Sequence, residues 1–204
     1  MTGLEEENGT CSLTPHSAKK RIRGDTIKMS MDFAACVKKA QQGDADAFAE
    51  LYSLVYKELY RTALLNLNKE HDASDVVSDT VLEAYTSLRN LRNEKAFKAW
   101  IMRILTAKIK SKQKEYIKNR EYSRELDEQS AQEELINEIN YEGIEVMEGF
   151  RQLSEEERLV LSLDVVSGYK SEEIADMTGS NANTVRSKAA RAKEKLRKLL
   201  SDKF

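Results

Sequence analysis

SEEIADMTGSNANTVRSKAARAKEKLRK, residues 171–198, divides into a short segment, a turn and a longer basic segment. Ser171 stands where a helix cap is needed, and Glu172 and Glu173 follow it into a first turn that favours negative charge. Ile174, Ala175 and Met177 offer a small apolar side. Gly179 supplies the residue that tolerates a left-handed backbone at a helix end. Asn181 can then cap a second helix, whose cations run from Arg186 to Lys198 against Glu194 alone. Val185, Ala189, Ala192, Leu196 and Leu199 follow helical spacing, so one side of that helix is apolar and the other cationic. This is the pattern of a helix-turn-helix, whose second helix enters the major groove while its cations meet the phosphates. A basic helix alone would read as a solvated face closing a helical domain. The capped helix and glycine turn before it favour DNA binding.

The bulk composition fits a helical protein. The chain has 204 residues, 40% hydrophobic and 33% charged, with one proline and eight glycines, which predicts long uninterrupted helices. No apolar run approaches a membrane span, so no membrane insertion is expected. The N-terminus lacks a signal-peptide core, and a cytoplasmic location is expected. Cys11 and Cys36 are isolated thiols without metal-ligand spacing, which predicts a reducing compartment and no disulfide. His16 and His71 belong to no metal or nucleophile constellation. No catalytic residue, metal or cofactor is therefore expected, and the chain is read as not an enzyme. The net charge of -2 averages opposed blocks: residues 95–120 are basic, 121–148 acidic and 186–203 basic again. Two cationic segments around an anionic one suggest two nucleic-acid contacts joined by a segment that avoids DNA.

Residues 1–28 are polar, aperiodic and hold the only proline, and they are expected to form a disordered extension. Phe33, Val37 and Ala40 mark a first helix. Asp44 and Asp46 open a second, with Phe48, Leu51, Tyr52, Val55, Leu59 and Tyr60 on its core face. A third begins near Asp72, with Val76, Val77, Thr80, Val81, Ala84, Tyr85 and Leu88 as its buried stripe. Asp72, Asp75 and Asp79 share one face of it. Such a ridge suits a basic protein partner, and ordinary solvated surface explains its spacing equally well. After the loop at 89–95 comes a fourth helix, with Phe97, Trp100, Ile101, Ile104 and Leu105 apolar and Lys98, Arg103, Lys108, Lys110, Lys112 and Lys114 positive. Trp100 is either a core anchor or a stacking platform for an unpaired base. Residues 116–148 read as an acidic linker holding one marginal helix. Ser154 and Glu157 form a capping box, followed by the packing face Leu159, Val160, Leu163 and Val166, with Gly168 ending that helix.

Two groups of segments carry a family resemblance. GDADAFAELYSLVYKELYRTA (43–63), DASDVVSDTVLEAY (72–85) and FKAWIMRIL (97–105) resemble domain 2 of the extracytoplasmic-function (ECF) sigma factors of bacterial RNA polymerase. The stretch from LSEEERLVL to EKLR (153–197) is similar to their domain 4. The resemblance implies an all-α chain of two small helical domains joined by an acidic flexible linker. Its boundaries would be an extension at 1–28, sigma domain 2 at 29–118, a linker at 119–150 and sigma domain 4, with the helix-turn-helix, at 151–204.

It also implies partners and roles. Asp72, Asp75 and Asp79 match the segment that docks on the beta-prime clamp helices of core polymerase, and domain 4 would meet the beta flap. Arg92, Asn93, Trp100, Arg103, Lys108 and Lys112 match the elements that recognise and melt the minus-10 promoter element. Asn181, Asn183, Thr184, Arg186, Ser187, Lys188 and Arg191 match those that read the minus-35 element. Residues 184–188 correspond to the family pattern Thr-Val-Lys-Ser-Arg. An anti-sigma factor is implied as a further partner. The chain departs from the family at Ala107 and Ser111, where Asn and Asp are common, and at Asn181 and Asn183, where Ser and Gly are frequent. Promoter melting and minus-35 preference are the properties those departures bear on. An ordinary helix-turn-helix regulator, binding a palindrome as a dimer, is the alternative.

Overall fold

Polar caps and left-handed stops cut the chain into helices. The computed structural model describes the backbone of residues 33–124 and 141–201, and the side chains of 33–119 and 146–201. The expected disorder of 1–28 and most of the expected linker lie outside those residues.

Helix α1 is Phe33–Gln41 and α2 is Ala45–Leu67. Asp44 caps α2, its Oδ1 accepting from Ala47 N at 3.0 Å. Asn68 closes α2 at φ 59°, a conformation that a short amide side chain tolerates, and its N–H donates to Leu64 O at 2.9 Å. Helix α3, Glu70–Ser87, starts two residues before the expected Asp72 and has no side-chain cap. Two 3-10 turns, Leu88–Asn90 and Glu94–Ala96, then lead into α4, Phe97–Arg124. At 28 residues, α4 is about 42 Å long, from a rise of about 1.5 Å per residue. It runs past residue 118.

Helix α5 is Tyr141–Arg151, and α6 is Glu155–Leu161, opened by the expected reciprocal capping box of Ser154 and Glu157. A π turn, Ser162–Val166, follows and ends before Gly168 at φ 72°. Its wider winding breaks the 3.6-residue period, which is why Val166, expected in the core, is 37% exposed. Helix α7 is Ser171–Thr178 and α8 is Ala182–Ser201. Ser171 is the first residue of α7 rather than its cap. The cap position is Lys170, whose N–H is satisfied by Glu173 Oε2 at 2.8 Å. Gly179 at φ 69° ends α7, and Asn181 caps α8, accepting from Asn183 N at 2.8 Å.

Helices α1 to α4 share one core, in which Val37, Leu51, Leu59, Phe97, Ile101 and Leu105 are fully buried. Helices α6, α7 and α8 share another, built on Leu161, Leu163, Ile174 and Val185, with α5 laid against α8. Every regular element among the described residues is helical. The two helical groups also touch. Helix α2 packs on α5, α6 and the π turn, and α4 packs on α7, so the described residues form one compact unit.

Leu59 is completely buried in α2. Leu59→Ala is expected to lower unfolding free energy by about 2–5 kcal/mol in urea titrations, the range for a large-to-small change in a packed core.

Candidate nucleic-acid interface

Helix α8 divides its residues by face. Val185, Ala189 and Ala192 are buried against the α6–α7 core. Asn181, Asn183, Thr184, Arg186, Ser187 and Arg191 are exposed at its N-terminal end, as a groove-reading helix requires. Arg186 is held by Asn183 Oδ1 at 2.7 Å and by the Glu172 carboxylate of α7. Ser187 Oγ donates to Asn183 O at 2.9 Å. Lys188 turns the other way. It pairs with Glu156 of α6, and this bond, then the Lys188 charge, pulls the Glu156 carboxyl below its ordinary value. The structure therefore sets Lys188 apart from the rest of the candidate minus-35 set. Lys195 and Lys193 are likewise drawn to Glu157 at 2.7 Å and Asp164 at 2.6 Å.

On α4, Phe97, Ile101, Met102, Leu105 and Ile109 are buried. Trp100, half-buried, stands with exposed Arg103, Ala107, Ser111 and Lys114 along one stripe at steps of three and four. Lys108 and Lys112 lie on a different side, facing α3. Lys108 Nζ is 2.7 Å from Glu83 Oε2, and Lys112 Nζ is 3.2 Å from Asp72 Oδ1. The candidate minus-10 residues on α4 are thus split, Trp100 and Arg103 along one stripe, Lys108 and Lys112 paired with carboxylates of α3 at the groove between the two helices. Lys114, named from the sequence among the cations of this helix but not in the minus-10 set, shares the Trp100 stripe. Its three- and four-residue steps back to Arg103 were the available signal.

The loop at 89–95 is shaped from below. Gln41 Nε2 donates to Leu88 O at 3.0 Å and Leu91 O at 2.8 Å, stapling the loop to α1. Asn93 spends its side chain on Lys95 N at 3.1 Å, while Arg92 is exposed. Gln41 was missed because nothing local to it predicts a partner nearly fifty residues on.

The acidic ridge of α3 is also divided. Asp75 and Asp79 are exposed, and His71 Nε2 lies 3.5 Å from Asp75 Oδ2. Asp72 is turned inward to Lys112 and to Tyr116 Oη at 2.5 Å. Burial pushes its carboxyl up, but the Tyr116 bond and the Lys112 ammonium outweigh that and hold it below its ordinary value. Burial and the Asp72 carboxylate drive the Tyr116 hydroxyl well up. Between α3 and α4 lies a groove of about 430 Å³, lined by Asp75, Asp79, Lys108 and Lys112 among others. Leu82, 65% exposed, and Tyr85, 49% exposed, extend the Asp75–Asp79 face with apolar surface. Tyr85 was expected in the buried stripe. It lies at the edge of that stripe, where its ring forms a T-shaped pair with Phe48, centroids 5.0 Å apart.

Among the described residues, no three His, Cys, Asp or Glu side chains are grouped to hold a metal. No helix among them is long and apolar enough to cross a membrane.

Comparison with known proteins fits both halves of this site. The family model described as Sigma-70 region 2 matches residues 47–116, and that described as Sigma-70, region 4 matches 144–196. The ECF RNA polymerase sigma-E factor of Haemophilus influenzae is 30% identical over 173 residues, covering 78% of this chain and 90% of that protein. This chain is an ECF RNA polymerase sigma factor. The ECF sigma factor SigW of Bacillus subtilis is 23% identical over 187 residues, covering 85% of this sigma factor and 100% of its own length. In solved structures, a similar fold is that of the sigma factor RpoE of Bartonella quintana, crystallised with the anti-sigma factor NepR. The match has a TM-score of 0.66 and 23% identity over 76% of this sigma factor and 96% of that chain. Helices α2 to α4 fall in region 2 and α6 to α8 in region 4.

The Asp72 cluster gives a pH signature for region 2. Its folded pKa is lowered, so its contribution is present above the unfolded value near 4 and fades as pH falls through the folded one. Asp72→Asn is expected to cost about 1–3 kcal/mol at neutral pH. In denaturant melts at a series of pH values, that difference should shrink below about pH 4.

Proposed function

We propose that this sigma factor binds core RNA polymerase, directs it to promoters with minus-35 and minus-10 elements, and stabilises the opened strand for initiation. The observation that carries this is the order of two region matches, each presenting an exposed face of the required chemistry. Asp75 and Asp79, extended by Leu82 and Tyr85, form the surface offered to a basic helical partner on the polymerase. Asp72 supports that surface from behind through Lys112 and Tyr116.

At the promoter, Asn181, Asn183, Thr184, Arg186, Ser187 and Arg191 read the minus-35 duplex. Arg92, Asn93, Trp100 and Arg103 meet the minus-10 strand, with the Trp100 ring available to stack on an unpaired base. Lys108 and Lys112 act there only by shaping α4, since Glu83 and Asp72 hold them. Lysine and arginine supply the salt-dependent affinity, and the few side chains at the α8 N-terminus choose the sequence. The chain carries out no bond chemistry of its own and acts in the cytoplasm beside the polymerase. An anti-sigma factor controls it, a reading supported by the sigma–anti-sigma complex whose fold it shares.

Reconstitution with core polymerase is the direct test. The purified chain should form a stable complex and yield a defined run-off transcript, and absence of both would end the reading. Charge reversal at Asp75 and Asp79 should weaken core binding in pull-downs while the circular dichroism spectrum stays unchanged. Arg191→Ala should reduce upstream protection in holoenzyme footprints by about tenfold, roughly one good polar contact. Lys188→Ala should cost less, because its ammonium is already paired.

A further inference from the structure

The first turn of α7 and the start of α8 meet at one side chain. Arg186 Nη1 donates to Asn183 Oδ1 at 2.7 Å, one turn earlier on α8. Arg186 Nη2 donates to the carboxylate of Glu172, on the other helix of the pair. Three side chains are thereby linked across the helix-turn-helix, at the exposed end that faces a duplex. The neighbouring carboxylate has a different duty: Glu173 Oε2 accepts from Lys170 N at 2.8 Å and closes the start of α7. Glu172 is not needed as a cap, and its partner lies on α8. Its carboxyl is held below its ordinary value by its own backbone N–H first, then by the Arg186 charge.

Stability does not account for this arrangement. The Arg186 and Glu172 side chains are 54% and 61% exposed, and an ion pair so open to water contributes little to folding. Its effect is on direction. An untied arginine at a helix start is drawn to the nearest phosphate, which carries no sequence information. Tied at both Nη atoms, the guanidinium presents its planar fork with less rotamer freedom left to lose on binding. Two of its five N–H groups are taken, and the three that remain suffice for two parallel bonds to one base. All of them are donors, so the base must offer two acceptors in the major groove. Guanine does so, through O6 and N7. Positions 183 and 186 are also places where the chain departs from the family pattern. A glycine at 183 has no side chain to hold a fork, and a lysine at 186 has no fork to hold.

Resting on the sigma reading above, we propose that Glu172 and Asn183 are positioning residues that aim the Arg186 guanidinium at one guanine of the minus-35 element, and that this clamp sets the base preference there. Glu172 acts through Arg186 rather than on the base. Removing it leaves the charge of Arg186 in place and takes away its aim.

The test is a position-resolved selection. Holoenzyme assembled from the full chain and core polymerase selects promoters from a library randomised across the minus-35 element. The parental protein should enrich guanine at one position, and Arg186→Ala should lower that enrichment about tenfold while other positions keep theirs. Glu172→Ala and Asn183→Ala, each with Arg186 intact, should lower it at the same position about fivefold, with thermal melts unchanged. Replacing that guanine by 7-deazaguanine should weaken parental binding about tenfold and Glu172→Ala binding about twofold or less. In salt titrations Glu172→Ala should steepen the dependence by about one phosphate contact, as Arg186 turns to the backbone. Guanine enrichment that survives in both alanine variants, or a loss spread evenly over all positions, overturns the clamp. So does a loss that tracks a fall in melting temperature, the mark of a structural role. If the parental chain forms no holoenzyme, the sigma reading fails. The same selection with the free chain then decides the clamp, and a free chain that enriches no guanine overturns it.

Discussion

Six consecutive buried residues at the end of α2, Thr62 to Leu67, impose the arrangement of the described structure. An α-helix that contacts the core with one stripe cannot bury neighbouring positions all round, so a continuous buried run needs neighbours on more than one side. Helix α2 has them: α3 and α4 pack on it from region 2, and α5, α6 and the π turn from the other helical group, with Asn66 and Thr62 bonded to Ser162 and Ser167. Burial of two hydroxyls and the amide N–H of Asn66 within this contact is offset by bonds across it, while Asn66 Oδ1 has no hydrogen-bond partner among the described residues. The end of one helix thereby sets where the other half of the molecule sits.

Pairing of charge follows from the same packing. Each helix that presents cations in sequence lies beside one that presents carboxylates, and the pairs form between elements far apart in the chain: Lys108 with Glu83, Lys112 with Asp72, Lys188 with Glu156. A lysine used this way has a carboxylate beside it that partly offsets its charge toward any third partner. Exposed cations remain along the Trp100 stripe of α4, at Arg103 and Lys114, and on α8, at Arg191.

Much of this was readable from local chemistry. Caps at Asp44, Ser154 and Asn181 and the stop at Gly179 depend on residues within a few positions of one another, and periodicity finds them. The helix-turn-helix and its exposed reading face were legible for that reason. The pairing of Lys108 with Glu83 and of Lys112 with Asp72 was not legible, because spacing says which residues share a face, not what the face meets. Val166 was misplaced because a π turn adds a residue to the winding without a compositional mark. The run Ala63, Leu64, Leu65 and Leu67, interrupted by Asn66, carried an unused signal: apolar residues at neighbouring positions exceed what one interface can bury. The Gln41 staple, by contrast, leaves no trace in sequence.

Trp100 has a consequence of an optical kind. It is the chain's single tryptophan, and it sits half-buried beside Phe97, ring centroids 6.0 Å apart, at the start of the outward stripe of α4. The eight tyrosines are spread elsewhere, three of them in the Tyr52–Tyr56–Tyr60 ladder on α2. Indole emission from this protein therefore reports on one end of one helix, unlabelled and without background from a second site. The side chain proposed to stack on an unpaired base is also the molecule's built-in fluorophore.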